Sequence, residues 1–278
     1  LGMLLIQIGA DHFIPLRRAP NVAQACQETY GTQSESYVVS LRELLGVISA
    51  HEWRKKGVPI LVRGDEEIRI HPHYGVFSPV RGEYIDLVLK TPLPKALLKS
   101  STAFDIGVGT GVLSVVLAIR DIQNITATDQ DDRAIACANE NMDRLHLSNQ
   151  VKIQKVNLFP DGKAALIVCN PPWLPARPSS SLEHAIYDPN SQMLKGFLSG
   201  LREHLLPEGE GWLILSDLAE HLGLRSREEL LNWINDADLI VIERIDTKPH
   251  HPKVFDQTDA LYAARSKEIT SLWRLGIK

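Results

Sequence analysis

From residue 100 onward, short apolar runs of strand character alternate with longer runs of helical periodicity, and this rhythm narrows the possible folds more than any other feature. Residues 103–106 read as a strand and 112–120 as an apolar helix. A strand at 124–128 follows, then a helix at 131–146 with Ala134, Ala138 and Met142 on one face. Further strands are expected at 151–156, 165–168 and 212–215, with a helix between the last two carrying Met193, Leu194, Phe197, Leu198, Leu201 and Leu205. Residues 239–245 and 269–275 read as an antiparallel pair that closes the sheet. Such alternation implies an α/β fold: a doubly wound, seven-stranded, mostly parallel sheet with helices on both faces. Sheets of this kind bind their ligands at the carboxyl ends of the strands.

Up to about residue 70 the pattern is different. Val38-Val39-Ser40-Leu41-Arg42-Glu43-Leu44-Leu45-Gly46 has helical spacing and a glycine as its stop. Arg63-Gly64-Asp65-Glu66 reads as a turn between the short strands Ile60-Leu61-Val62 and Ile68-Arg69-Ile70. A small, mainly helical N-terminal accessory domain, serving substrate recognition, is therefore expected over 1–72, and the sheet domain over 73–278. At 278 residues the chain has room for both. Its net charge of −4 argues against a protein whose main task is coating nucleic acid. Cys26, Cys137 and Cys169 form no CxxC pair, which fits a reducing, cytoplasmic setting. The apolar opening over 1–10 is too short to span a membrane and lacks a basic flank, so no membrane association is expected.

After the first strand of the sheet comes Asp105-Ile106-Gly107-Val108-Gly109-Thr110-Gly111. Glycines in a strand-to-helix turn let the backbone approach a ligand where a Cβ would collide with it. The helix that follows offers free N–H groups to a negative group. Dinucleotide binders require G-x-G-x-x-G, and Val112 stands where the third glycine would be. The spacing here is G-x-G-x-G with an acid two residues ahead, which resembles the S-adenosylmethionine-dependent methyltransferases. Asp105 suits a ligand that carries an ammonium group and would repel a pyrophosphate. Asp129, at the end of the second strand beside Gln130, stands where doubly wound folds bond ribose hydroxyls. Asn157, followed by Leu158, closes the third strand where methyltransferases often use an aspartate for the adenine amine, and its side-chain carbonyl can accept the same bond.

The fourth strand ends in Asn170-Pro171-Pro172-Trp173, beside the glycine loop. Methyl transfer is an in-line displacement at carbon, so the protein must supply position, orientation and a dry site. A carboxamide or an exocyclic amine is a weak nucleophile because its lone pair is delocalised. Two acceptors aimed at its N–H groups hold that lone pair toward the methyl group: the Asn170 side-chain carbonyl and the Pro171 main-chain carbonyl. Pro171 and Pro172 fix φ and add no competing donor. Trp173 adds a flat face for stacking. The phrase reads as a clamp for a planar NH₂ group.

Glycine loop, Asp129 and Asn-Pro-Pro-aromatic, in that order, resemble the amino N-methyltransferases, and within them the HemK-type protein-glutamine methyltransferases. The segment Tyr74-Gly75-Val76-Phe77-Ser78-Pro79-Val80-Arg81-Gly82-Glu83-Tyr84 occupies the place of that family's proline-containing segment, without its second proline and threonine, and Trp173 replaces the more common tyrosine. The resemblance implies S-adenosyl-L-methionine as cofactor. It also implies a macromolecular methyl acceptor, a protein glutamine first and an adenine or guanine amine of RNA or DNA as the alternative. The chain shows no long basic stripe, which weighs against nucleic acid. A monomer that needs no metal is expected.

Of the smaller signals, His71-Pro72-His73 and His250-His251 lack the acids or cysteines of a metal site. Arg54-Lys55-Lys56 reads as a solvated helix end and Asp188-Pro189-Asn190 as a turn opening the Met193 helix. The connection over 246–268 is far longer than a hairpin turn and starts on the active-site edge. It is expected to form either a substrate-side lid or wall, with His250, His251, Lys253, Tyr262 and Arg265 able to meet an acidic or polar acceptor, or a surface insertion that only caps the sheet edge; 255–265 reads as helix-like.

Overall fold

A computed structural model describes residues 1–63, 66–176, 187–249, 257 and 261–278. The N-terminal part is built from β1 (Leu5–Ile8), α1 (Ala23–Tyr30), β2 (Tyr37–Ser40) and α2 (Leu41–Lys56). β1 and β2 pair antiparallel, and a small core of Ile8, Val22, Cys26, Val39, Leu44 and Val47 lies beneath them. The two helices are thus joined by a two-stranded sheet. Val38 and Val39 belong to the strand, where β-branched residues fit, and not to the helix the spacing suggests. Ser40 is the N-cap of α2, its side chain accepting the Glu43 N–H at 3.1 Å. Gly46 does not stop this helix, because one interior glycine costs only about 1 kcal/mol and buried Leu44 and Val47 flank it. The stop is Gly57, at φ +72°, after the basic end Arg54-Lys55-Lys56.

The expected hairpin follows as β3 (Val58–Arg63) and β4 (Glu66–Ile70), with Gly64 and Asp65 outside the described residues. Its apolar side, Val58, Ile60, Val62 and Ile70, belongs to the core of the sheet domain. α3 (Glu83–Lys90) then leads into β5 (Thr102–Ile106), α4 (Val112–Ile119), β6 (Asn124–Asp129), α5 (Asp132–Arg144), β7 (Val151–Lys155) and β8 (Ala164–Cys169). Beyond 177–186, which lie outside the described residues, come α6 (Gln192–His204), β9 (Leu205–Ser216), α7 (Leu218–His221), α8 (Arg227–Asp236), β10 (Leu239–Thr247), α9 (Tyr262–Arg265) and β11 (Thr270–Ile277).

Seven strands form one sheet in the order β10-β11-β9-β8-β5-β6-β7. β9, β8, β5, β6 and β7 run parallel, and β11 is inserted antiparallel between β9 and β10. Side chains alternate between the two faces as the period of two requires. On β8, Leu166 and Val168 join the core beneath α3 and α4, whereas Ile167 and Cys169 join the one beneath α6 and α8. Both faces are covered, so every residue of β8 is buried. Leu205, which the helical stripe would include, instead opens β9, where it pairs with Ala164. Among the described residues no helix is long and apolar enough to cross a membrane. His250, His251 and Lys253 lie outside the described residues, as do 255, 256 and 258–260 of the expected helix, of which the described residues hold the short turn α9.

One buried side chain ties the segment before α3 to the glycine loop. Asn141 of α5 is fully buried; its Oδ1 accepts the His71 N–H at 2.8 Å, and its Nδ2 donates to the carbonyls of His71 (3.2 Å) and Thr110 (3.0 Å). Removing it leaves backbone groups of two segments without partners. Asn141→Ala should therefore lower stability by about 2–4 kcal/mol, read as a lower urea midpoint at unchanged m value. A loss below about 0.5 kcal/mol, the range of ordinary surface substitutions, would show that the bridge carries no weight.

Candidate active site

The glycine loop leaves the carboxyl end of β5 and curls back over β6. Gly107 and Val108 donate to the Thr128 carbonyl at 2.9 and 2.8 Å, and Gly111 donates to Val108 at 2.8 Å. Gly107, Gly109 and Gly111 have φ of +77°, +52° and +82°, the left-handed region that only glycine enters freely. Their surroundings divide their roles. A Cβ on Gly107 would lie 2.4 Å from the Met193 methyl, and one on Gly111 would lie 2.8 Å from that of Met142. Those two glycines let α6 and α5 pack closely, so the collision expected with a ligand is there a collision with protein. A Cβ on Gly109 would meet nothing within 4 Å. Gly109 alone turns an open face to a ligand.

Asp105 sits beneath this loop at 1% exposure. Ser114 Oγ of α4 donates to its Oδ2 at 2.6 Å, while its Oδ1 is buried without a partner. Burial pushes its pKa up to about 7. Asp129 closes β6, its Oδ2 accepting the Gly109 N–H at 3.1 Å and its Oδ1 the Asp131 N–H at 3.0 Å. Burial raises its pKa as well. Two acids thus face the same loop, one of them with an unsatisfied oxygen, which fits a cationic, hydroxyl-bearing ligand. Gln130 and Asn157 are exposed at the same edge. Leu158 adopts φ +64°, and a Cβ on Gly196 of α6 would lie 2.5 Å from its side chain.

The Asn-Pro-Pro-Trp segment leaves β8 next door, because Cys169 pairs with Ile106. Asn170 is half-buried and Pro171 buried. The Trp173 indole N–H donates to Asn170 Oδ1 at 2.9 Å. The Arg81 guanidinium lies 5.1 Å from the Trp173 ring centroid. Arg81 Nε donates to Glu83 Oε1 at 2.9 Å and its Nη2 to Glu268 Oε1 at 3.0 Å, where Ser216 Oγ also donates at 2.6 Å. No local pattern marks Arg81 or Glu268, which meet across the whole sheet domain. The only sequence signals are that Arg81 lies in the proline-containing segment and that Glu268 ends the long connection.

Asp188 is the expected opening of α6, its carboxylate accepting the N–H groups of Met193 (3.0 Å) and Leu194 (3.1 Å). A bridge pairs Leu174 with Tyr187 beside the clamp. His71 Nδ1 contacts the Arg54 carbonyl at 2.6 Å and His73 Nε2 contacts Glu140 at 2.6 Å, so both rings serve the junction with the N-terminal part. Arg54 does the same, donating to Glu140 at 2.8 Å. No group of metal-binding side chains occurs among the described residues.

The model of one protein family, the methyltransferase small domain, matches residues 67–223. Among curated proteins the chain is similar to the tRNA1(Val) (adenine(37)-N6)-methyltransferase of Shewanella halifaxensis. The two are 31% identical over 127 residues, which are 43% of this chain and 52% of the relative. It is also similar to the release factor glutamine methyltransferase of Pseudomonas aeruginosa, 34% identical over 163 residues, 54% of this chain and 56% of the relative. The chain therefore spans little more than half the length of these curated relatives. Among solved structures it resembles the geranyl diphosphate C-methyltransferase of Streptomyces coelicolor A3(2), solved with Mg²⁺, geranyl diphosphate and S-adenosyl-L-homocysteine. That likeness, at a TM-score of 0.50 and 14% identity over 70% of this chain and 78% of the other, is one of fold.

Asp105 gives a test with a definite sign. Its folded pKa lies above the unfolded value of 3.8, so the stability it contributes is full below that value and is lost as pH rises through about 7. Asp105→Asn should flatten the fall in stability between about pH 4 and 7 relative to the unaltered chain. Urea midpoints measured across that window check it, and parallel profiles for the two proteins would refute the assignment.

Proposed function

The chain belongs to the methyltransferase small domain family, and from that premise we propose that it is an S-adenosylmethionine-dependent N-methyltransferase whose acceptor is a protein glutamine side chain. The observation that supports this reading is the register of β5 against β8, whose last pair, Ile106 and Cys169, directly precedes the glycine loop on one strand and Asn170 on the other. S-adenosylmethionine supplies an electrophilic methyl group with its leaving group already attached. The residues of this chain do the rest. Asp105 Oδ1, without a partner, takes the ammonium of the amino-acid portion, and Asp129 takes the ribose hydroxyls. Asn157 accepts from the adenine amine, with Gln130 and Leu158 as its neighbours.

Asn170 Oδ1 has a second lone pair beyond the one the Trp173 indole occupies. That lone pair and the Pro171 carbonyl accept the two N–H groups of the acceptor and turn its nitrogen lone pair toward the methyl group. The N–C bond forms as the C–S bond breaks, and the extra proton on nitrogen leaves to solvent after transfer. Holding the nucleophile in a near-attack position is worth several kcal/mol of the barrier. Residues 1–72 serve acceptor recognition in this reading. A reducing cytoplasm suits its three free, buried cysteines. The similarity to an adenine-N6 methyltransferase keeps a nucleobase amine as the second reading, since it presents the same planar NH₂ group.

Titration calorimetry should find that Asp129→Ala weakens S-adenosylmethionine binding about tenfold to a hundredfold, as expected for lost charge-assisted hydrogen bonds. Asn170→Ala should keep cofactor affinity and lose turnover, because its contacts act on the acceptor and the transition state. Tritiated-methyl cofactor incubated with the protein and a bacterial lysate, then digested with protease or nuclease, separates the acceptors. Label freed by protease and recovered as N-methylglutamine supports glutamine, label freed by nuclease moves the acceptor to a base, and no label refutes the transferase reading.

A further inference from the structure

An asparagine side chain has two ends of nearly equal shape and opposite hydrogen-bonding character. A clamp that needs the oxygen works only if the carboxamide is held with that end toward the acceptor's N–H groups. In this site the neighbour of the carboxamide is an indole, which donates and never accepts. Trp173 Nε1 lies 2.9 Å from the Asn170 amide, so the amide must present Oδ1 to it. A phenolic hydroxyl would tolerate either end, because it both donates and accepts. The tryptophan therefore selects one of the two carboxamide orientations.

The ring itself is held by groups remote in sequence. Arg81 covers one of its faces at 5.1 Å. The guanidinium is held in turn by the Glu83 and Glu268 carboxylates, whose side chains are 2% and 0% exposed. A buried carboxylate stripped of its cation is costly, so this ion cluster fixes the guanidinium plane and with it the indole. One face of the ring is thus taken, and a planar acceptor has only the other.

We propose that Trp173 is a positioning residue that orients the Asn170 carboxamide, and that Arg81, anchored by Glu268, is the positioning residue for Trp173. The inference rests on the N-methyltransferase reading and gives the indole N–H a task distinct from stacking. It also gives the end of the long connection after β10 a role in the clamp. If Trp173 were only a packing residue, loss of its N–H would leave the chemistry untouched.

The test uses the full chain with Trp173 replaced by benzothienylalanine, which keeps the bicyclic ring and lacks the N–H, alongside Trp173→Phe, Arg81→Lys and Asn170→Ala. The methyl acceptor is lysate protein and the label is tritiated-methyl S-adenosylmethionine. The isostere should lower the transfer rate at saturating cofactor and lysate roughly tenfold or more, the scale of a misplaced reacting group. Cofactor affinity and the lysate concentration for half-maximal rate should stay unchanged. Arg81→Lys, which keeps the charge and loses the planar fork, should act in the same direction. The double variant Asn170→Ala/Trp173→Phe should be no slower than Asn170→Ala alone. In ¹⁵N spectra, Asn170→Ala should move the Trp173 indole proton upfield and speed its exchange. An isostere as active as the unaltered enzyme, multiplicative losses in the double variant, or an indole resonance indifferent to Asn170→Ala overturns the proposal. An unaltered enzyme that labels nothing overturns the functional reading and the proposal together, whereas an active enzyme with an equally active isostere overturns the proposal alone.

Discussion

The parallel pairing of β5 with β8 is the constraint on which the rest of the site depends. Ile106 stands opposite Cys169, so both strands run out of partners at the same height. The chain must then turn twice in adjacent columns, once as a glycine loop and once as Asn-Pro-Pro-Trp. Parallel strands with helices on both faces leave no exposed side for functional groups, and the carboxyl edge is the one place where backbone and side chains emerge together. Asn141 extends that constraint to the N-terminal part, since its amide spans from Thr110 in the loop to His71 before α3.

The electrostatics of the edge follow from this crowding. Asp105 lies under the loop because its strand position faces the core, and only Ser114 answers one of its oxygens. Asp129 lies at the next strand end, one oxygen accepting the loop's Gly109 N–H and the other the Asp131 N–H before α5. A buried carboxyl with an empty oxygen is costly in a finished core and useful in a site that receives a cation. Its raised pKa and its unpaired oxygen go together: burial and the neighbouring Asp129 carboxylate disfavour its charge, and no protein donor reaches Oδ1. Arg81, the cation beside Trp173, is committed to Glu83 and Glu268.

Local periodicity made the parallel core legible. β8 is buried on both faces and reads as an unbroken apolar run, and α5 and α6 carry one-sided stripes. The antiparallel pair β10 and β11 was legible for the same reason. Features decided by tertiary contact were hidden. Val38 and Val39 become a strand because β1 lies alongside, and Gly46 sits inside a helix because the core holds it there. Of the three loop glycines the spacing told the class of the turn but not the division of labour, since Met193 and Met142 come from helices beyond the window of any motif. Arg81 and Glu268 were hidden most completely, their meeting being set by the fold of the whole domain.

In the proposed function the clamp recognises a planar NH₂ group and nothing larger. In that reading two carbonyls and an aromatic face serve a carboxamide and a nucleobase amine equally well, and the chain is similar to relatives named for each acceptor. Discrimination must then come from surfaces that read what the NH₂ group is attached to. The candidates are the parts outside the matched 67–223: the small N-terminal unit with its separate core, and the connection after β10. The first is tied to the sheet domain through Arg54, His73 and Glu140. The second returns to the clamp through Glu268, Arg81 and Trp173. If the proposed function holds, acceptor recognition at the second surface has a physical route, through contacts already made, to the Asn170 carboxamide.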